Sequence, residues 1–205
     1  MIKEKFGDRL DDWIHAALPF LFRRPIDPNL LTVFGAFVSL LAAAAFAVGW
    51  FVAGGVIVLL GGFFDLVDGV VARHHGTTTR FGAFLDSTLD RLVDMALLLG
   101  IALYFARVGR PEVVLLAGVA LIAVVLVSYS KACAERYVPE IKVGFFERGE
   151  RVGLLAAGGI LGLVVPALWV IAIGSSVTVI QRFDRAYREM QKADAADRAG
   201  LGEPS

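Results

Sequence analysis

Cysteine is almost missing from this chain: Cys133 is the only one in 205 residues, which excludes an internal disulfide. Histidine is scarce too, and His74 and His75 are adjacent, so they do not share a helix face as a metal pair would need to. Charged residues make up only 20% and sum to zero, so the total leaves no electrostatic footprint for nucleic acid, and no such partner is expected. What remains is apolar. At 57% hydrophobic the chain exceeds an ordinary soluble domain, which predicts an integral membrane protein embedded in a lipid bilayer. No cleavable signal peptide is expected, because the first apolar residues sit within a stretch of mixed charge and no small-residue cleavage pattern follows.

From Met1 to about Phe22, Ile2, Phe6, Leu10, Trp13, Ile14, Ala17, Leu18 and Leu21 recur at three- and four-residue steps among charged residues. Residues 1–24 are therefore expected to form an amphipathic helix along the membrane surface, or one packed on the protein's own bundle. Six apolar segments of helical character follow, beginning near Leu30, Phe51, Phe81, Val113, Arg151 and Pro166. They predict an all-α bundle of six transmembrane helices over residues 25–192, with a short turn at Pro166 and a mobile tail over 193–205. Lys and Arg concentrate in the N-terminal segment, after Arg73, after Lys131 and in the tail, whereas the opposite turns hold only Arg107 and Arg110. That bias predicts a multi-pass plasma-membrane protein with both ends, and the site described next, in the cytoplasm.

Against this apolar background stand four carboxylates, in Asp65-x-x-Asp68-Gly69-x-x-Ala72-Arg73 and, eight residues on, Gly82-x-x-x-Asp86-x-x-x-Asp90. Each pair is three or four residues apart, so each shares a helix face, and two helices can aim all four acids at one point. An ionised carboxylate near the bilayer interior costs on the order of 3 kcal/mol even on gentle scales. Four together call for counter-ions. Hard oxygen ligands without His or Cys favour Mg²⁺ or Mn²⁺, and two such ions would cancel the charge. Divalent ions beside an Arg suit phosphate chemistry, and a nearby carboxylate can take a hydroxyl proton. Asn29 and Thr32, behind Asp27-Pro28, read as helix-start residues. Gly69 beside Asp68 leaves room for a ligand. Asp94, one turn beyond Asp90, reads as structural, paired with Arg91 or a neighbouring helix.

The string from Asp65 to Asp90 resembles the signature of the CDP-alcohol phosphatidyltransferase family, with every position filled. The resemblance implies that Asp65, Asp68, Asp86 and Asp90 hold two metal ions and that Asp90 doubles as proton acceptor. It also implies that Asn29, Thr32, Asp68, Gly69, Ala72, Arg73, Thr79 and Gly82 receive the CDP-lipid, CDP-diacylglycerol. The acceptor alcohol takes the phosphatidyl group as CMP leaves, and a homodimer is the family expectation.

Lys131, Arg148, Arg151 and Arg182 fall at the cytoplasmic ends of later helices, and such a cluster suits an acceptor that itself carries phosphate, although headgroup contact would explain them as well. Ser128-Tyr129-x-Lys131, Gly144-x-x-Glu147-Arg148-x-Glu150-Arg151 and Gln181-Arg182 are similar to the phosphatidylinositol-phosphate synthase branch, which uses inositol phosphate. Cys133 and Gly149 depart from that branch, where Arg and Pro are expected, and glycerol 3-phosphate, the acceptor of a phosphatidylglycerophosphate synthase, would suit the same charges. Two other classes compete. A Mg²⁺-dependent membrane prenyltransferase lacks the Gly69, Ala72-Arg73 and Gly82 spacing, and a cation transporter does not explain acids at helix ends beside a phosphate-suited Arg.

Overall fold

Three of the connectors in this protein are the same short turn. The computed structural model describes residues 27–74, 76, 78–137 and 143–200. The expected surface helix of residues 1–24 lies outside the described residues. Among those described there are six helices and no strand: α1 Pro28–Ala47, α2 Phe51–His74, α3 Arg80–Arg107, α4 Pro111–Ala134, α5 Arg148–Ile160 and α6 Val164–Gly200. At the ends of α1, α3 and α5 a glycine takes a left-handed conformation, with φ of +87° at Gly49, +72° at Gly109 and +71° at Gly162. The residue after each glycine bonds back five positions: Trp50 N–H to Ala45 C=O, Arg110 N–H to Phe105 C=O and Leu163 N–H to Gly158 C=O. This closes orphan carbonyls that a helix end would otherwise leave bare. The turn expected at Pro166 therefore lies at Gly162, and Pro166 sits in the first turn of α6, where its missing N–H costs nothing.

Helix starts are equally local in origin. The Asp27 carboxylate caps α1 by accepting the Asn29 N–H at 2.9 Å, and Thr79 caps α3 by accepting the Gly82 N–H at 2.9 Å. Helix α6 runs past Lys192 to Gly200, because the segment from Ala193 to Ala199 is rich in alanine and holds no Gly or Pro; residues 193–200 of the expected tail are thus helical.

Among the described residues four helices are long and apolar enough to cross a membrane: α1, α2, α4 and Val164–Ala195 of α6. The 28 residues of α3 are long enough, but Asp86, Asp90, Arg91 and Asp94 load its first half with charge. The 13 residues of α5 reach only about 20 Å against a hydrocarbon core of about 30 Å.

Packing closes the helices into a ring: α1 contacts α2 and α3, α3 contacts α4, α4 contacts α6, and α5 joins α6 back to α2. Inside lie Ala42, Phe46, Leu97, Ile101, Ala120, Ala156 and Leu168. Outside, Phe37, Leu115, Ile122 and Ile173 are each more than half exposed, a surface fit for lipid. The Gly49, Gly109 and Gly162 turns share one end of the ring, which is fastened by aromatic contacts. Phe51 meets Tyr104 edge-on at 4.8 Å between ring centroids, and the Arg107 guanidinium donates to Ala47 C=O at 3.1 Å. The polar chemistry is at the other end.

Candidate active site

Helices α2 and α3 both pack on α1, and at the end where α2 stops and α3 starts their acids converge. Carboxylate oxygens of Asp65, Asp68 and Asp86 lie within 4.8 Å of one another. Asp68 is buried, and its Oδ2 has no hydrogen-bond partner among the described residues. A buried carboxylate oxygen without a donor or cation beside it is costly, and three carboxylates at this spacing fit a hard divalent cation. The fourth acid, Asp90, does not join that group; it pairs instead with Arg148 of α5, whose Nη2 is 2.9 Å from Asp90 Oδ1.

Beside the triad opens a cleft of about 200 Å³ between the start of α1, the end of α2 and the start of α3. Asn29, Thr32, Asp68, Gly69, Ala72, Arg73, Thr79 and Gly82 all line it, together with Asp86. Pro28, Thr78 and Ala83 line it too and were not singled out in the sequence, where nothing but adjacency to the motif marks them. Two glycines keep it open. A Cβ on Gly82 would stand 2.9 Å from Asn29 Oδ1, and one on Gly69 would stand 3.3 Å from the Arg73 guanidinium, which folds over it. Asn29 and Thr32 do not cap α1, since Asp27 does; Thr32 instead donates back to Pro28 C=O at 3.0 Å.

The four basic residues are not gathered in the same way. Lys131 is half exposed, 3.7 Å from Glu135. Arg182 is buried and donates Nε to Val143 C=O at 3.0 Å and Nη1 to Val127 C=O. Arg151 is buried against Asp94, Nη2 to Oδ2 at 3.1 Å, and also donates to Phe146 C=O at 3.3 Å. Asp94 thus meets a neighbouring helix rather than Arg91. Arg148 reaches Asp65, Asp90 and Asp94. The Nε atoms of both Arg148 and Arg151 are buried and lack a hydrogen-bond partner among the described residues, although that of Arg148 lies 3.8 Å from Asp94 Oδ1.

Long apolar helices around an acidic, phosphate-suited cleft define a membrane-embedded enzyme that works on phosphate esters. The chain belongs to the CDP-alcohol phosphatidyltransferase family, whose profile matches residues 26–180. It is 41% identical over 195 residues to a phosphatidylinositol phosphate synthase of Streptomyces avermitilis, covering 88% of this chain and 80% of that one. It is 37% identical over 167 residues to an archaetidylinositol phosphate synthase of Pyrococcus horikoshii, covering 81% and 86%. Among solved structures, the phosphatidylinositol phosphate synthase of Mycobacterium tuberculosis with CDP-DAG bound superposes with a TM-score of 0.76 at 29% identity, covering 87% of this chain and 94% of that one. The same enzyme in complex with manganese and citrate also gives 0.76, at 30% identity over 84% and 88%.

Proposed function

We propose that this protein transfers the phosphatidyl group of CDP-diacylglycerol to a hydroxyl of inositol phosphate and releases CMP. The observation that carries this reading is the cleft in which Asn29, Thr32, Gly69, Ala72, Arg73, Thr79 and Gly82 meet two acids of the triad, Asp68 and Asp86. Bound there, Mg²⁺ or Mn²⁺ would neutralise phosphate oxygens and polarise the phosphorus, with Asp65, Asp68, Asp86 and Asp90 holding two ions. Asn29, Thr32, Gly69, Ala72, Arg73, Thr79 and Gly82 hold the CDP portion, so that its diphosphate lies over Asp68 and Asp86. Asp90 takes the proton of the attacking hydroxyl as the new P–O bond forms and the bond to CMP breaks, the electron pair leaving with the CMP oxygen.

The acceptor is assigned on two supports. Relatives on both sides of the bacterial and archaeal divide carry inositol phosphate in their names. Lys131 is accessible, and the guanidinium forks of Arg148 and Arg151 are of the kind that pairs with phosphate. Arg182 completes the acceptor set in this reading. Six passes follow if α3 and α5 also cross the bilayer as parts of the ring, with the acidic end facing the cytoplasm of the plasma membrane. That orientation agrees with the basic residues at the acidic end and with only Arg107 and Arg110 at the other. A homodimer belongs to the same reading, on family kinship. The test is CMP release from CDP-diacylglycerol by purified enzyme offered inositol phosphate, free inositol, glycerol 3-phosphate and serine in parallel. Inositol phosphate should be used fastest; faster release with glycerol 3-phosphate would overturn the acceptor assignment, and no release with any would overturn the reaction.

A further inference from the structure

Arg148 opens α5, and its guanidinium stands where a cation is needed. Its Nη1 donates to Asp65 Oδ2 at 2.7 Å, its Nη2 forms an ion pair with Asp90 Oδ1 at 2.9 Å, and its Nε lies 3.8 Å from Asp94 Oδ1. It therefore links a member of the metal-type triad on α2 to the proposed base on α3, and both are groups that the reaction needs free. A guanidinium forked between two carboxylates makes strong, charge-assisted bonds and offsets the repulsion of a cluster of acids in a poorly solvated place. The same position becomes unfavourable once dications sit on those acids, because the carboxylate charge is then spent and the guanidinium faces a like charge.

We propose that Arg148 is the internal counter-ion of the metal-free enzyme, that divalent cations displace it from Asp65 and Asp90, and that the freed guanidinium then turns to the acceptor's phosphate. The inference rests on the functional reading above, since it takes the acids as metal ligands and the acceptor as phosphorylated. It adds an order: metal loading prepares both the base and the phosphate donor, so metal and acceptor phosphate bind cooperatively. An Arg that served only as a strut between α2, α3 and α5 would stay in place on metal binding.

The exchange is tested by Mn²⁺ titration of the full-length protein in detergent, comparing it with Arg148→Gln and Arg148→Lys, with melting temperature at saturating Mn²⁺ as a check on folding. With its competitor removed, Arg148→Gln should bind Mn²⁺ about tenfold tighter or more, and Arg148→Lys should fall between. Mg²⁺ should also tighten inositol phosphate binding to the unaltered protein severalfold, and that gain should vanish in Arg148→Gln. Equal or weaker Mn²⁺ binding by a folded Arg148→Gln would overturn the exchange alone. Failure of the unaltered protein to bind Mn²⁺ would overturn the metal site and the exchange with it. Should Arg148→Gln not fold, the side-chain ¹⁵Nε resonance of Arg148 in the unaltered protein decides: it should shift as Mg²⁺ binds, and an unmoved signal at saturating Mg²⁺ would overturn the proposal.

Discussion

Removing Arg151 should cost the protein stability before it costs it anything else. Its side chain is 6% exposed and that of Asp94 is 9% exposed, with 3.1 Å between Nη2 and Oδ2. Breaking a buried pair by deleting one partner costs about 3–5 kcal/mol, most of it the penalty of leaving the other charge uncompensated. Arg148 Nε, 3.8 Å from the same carboxylate, offers Asp94 a partial substitute, so the lower end, about 3 kcal/mol, is expected for Arg151→Met. Asp94→Leu should cost a similar amount by stranding Arg151. The double substitution removes both charges and replaces them with apolar bulk, so it should cost no more than either single change, giving a coupling of about 3 kcal/mol. The assay is unfolding free energy in mixed micelles with increasing dodecyl sulfate, run on all four proteins. Single changes below about 0.5 kcal/mol that simply add would refute the burial argument and return Arg151 to a purely ligand-facing role.

Lys131→Ala should behave differently: with its ammonium accessible near Glu135, stability should hold while the acceptor's KM rises far more than that of the CDP-lipid, as initial-rate kinetics would report. Asp90→Asn keeps a carbonyl oxygen that can still ligate a cation, so it should leave Mn²⁺ and CDP-lipid binding largely intact but lower kcat by about 10²-fold or more, the scale of a lost general base, and near-normal turnover would remove Asp90 from that role. Gly162→Ala, at a φ of +71°, should destabilise the α5–α6 turn by about 1–2 kcal/mol, read as a fall in melting temperature without change in KM.

The parts of this molecule that were readable in the sequence are those encoded within one or two turns of helix. Asp65 with Asp68 and Asp86 with Asp90 fall on shared faces by spacing alone, and the glycines at 69 and 82 sit where a side chain would close the cleft. What spacing cannot reveal is which helix faces which. Asp94 finds its partner 57 residues away on α5, and Arg148 reaches Asp65 across 83, because the ring order places α5 beside α2 rather than beside its sequence neighbour α4. The turn lies at Gly162 rather than at Pro166 for a local reason: a proline in the first turn of a helix does not break it, whereas the Gly162 left-handed cap, the same device as at Gly49 and Gly109, ends α5 four residues earlier. These two kinds of legibility divide along the ring itself. One end is built from repeated glycine turns, each encoded within a few residues, although the Phe51–Tyr104 contact that fastens it joins two helices. The other end assembles acids and arginines from α2, α3 and α5 that meet only after the ring has closed, which ties the integrity of the bundle to the availability of the site.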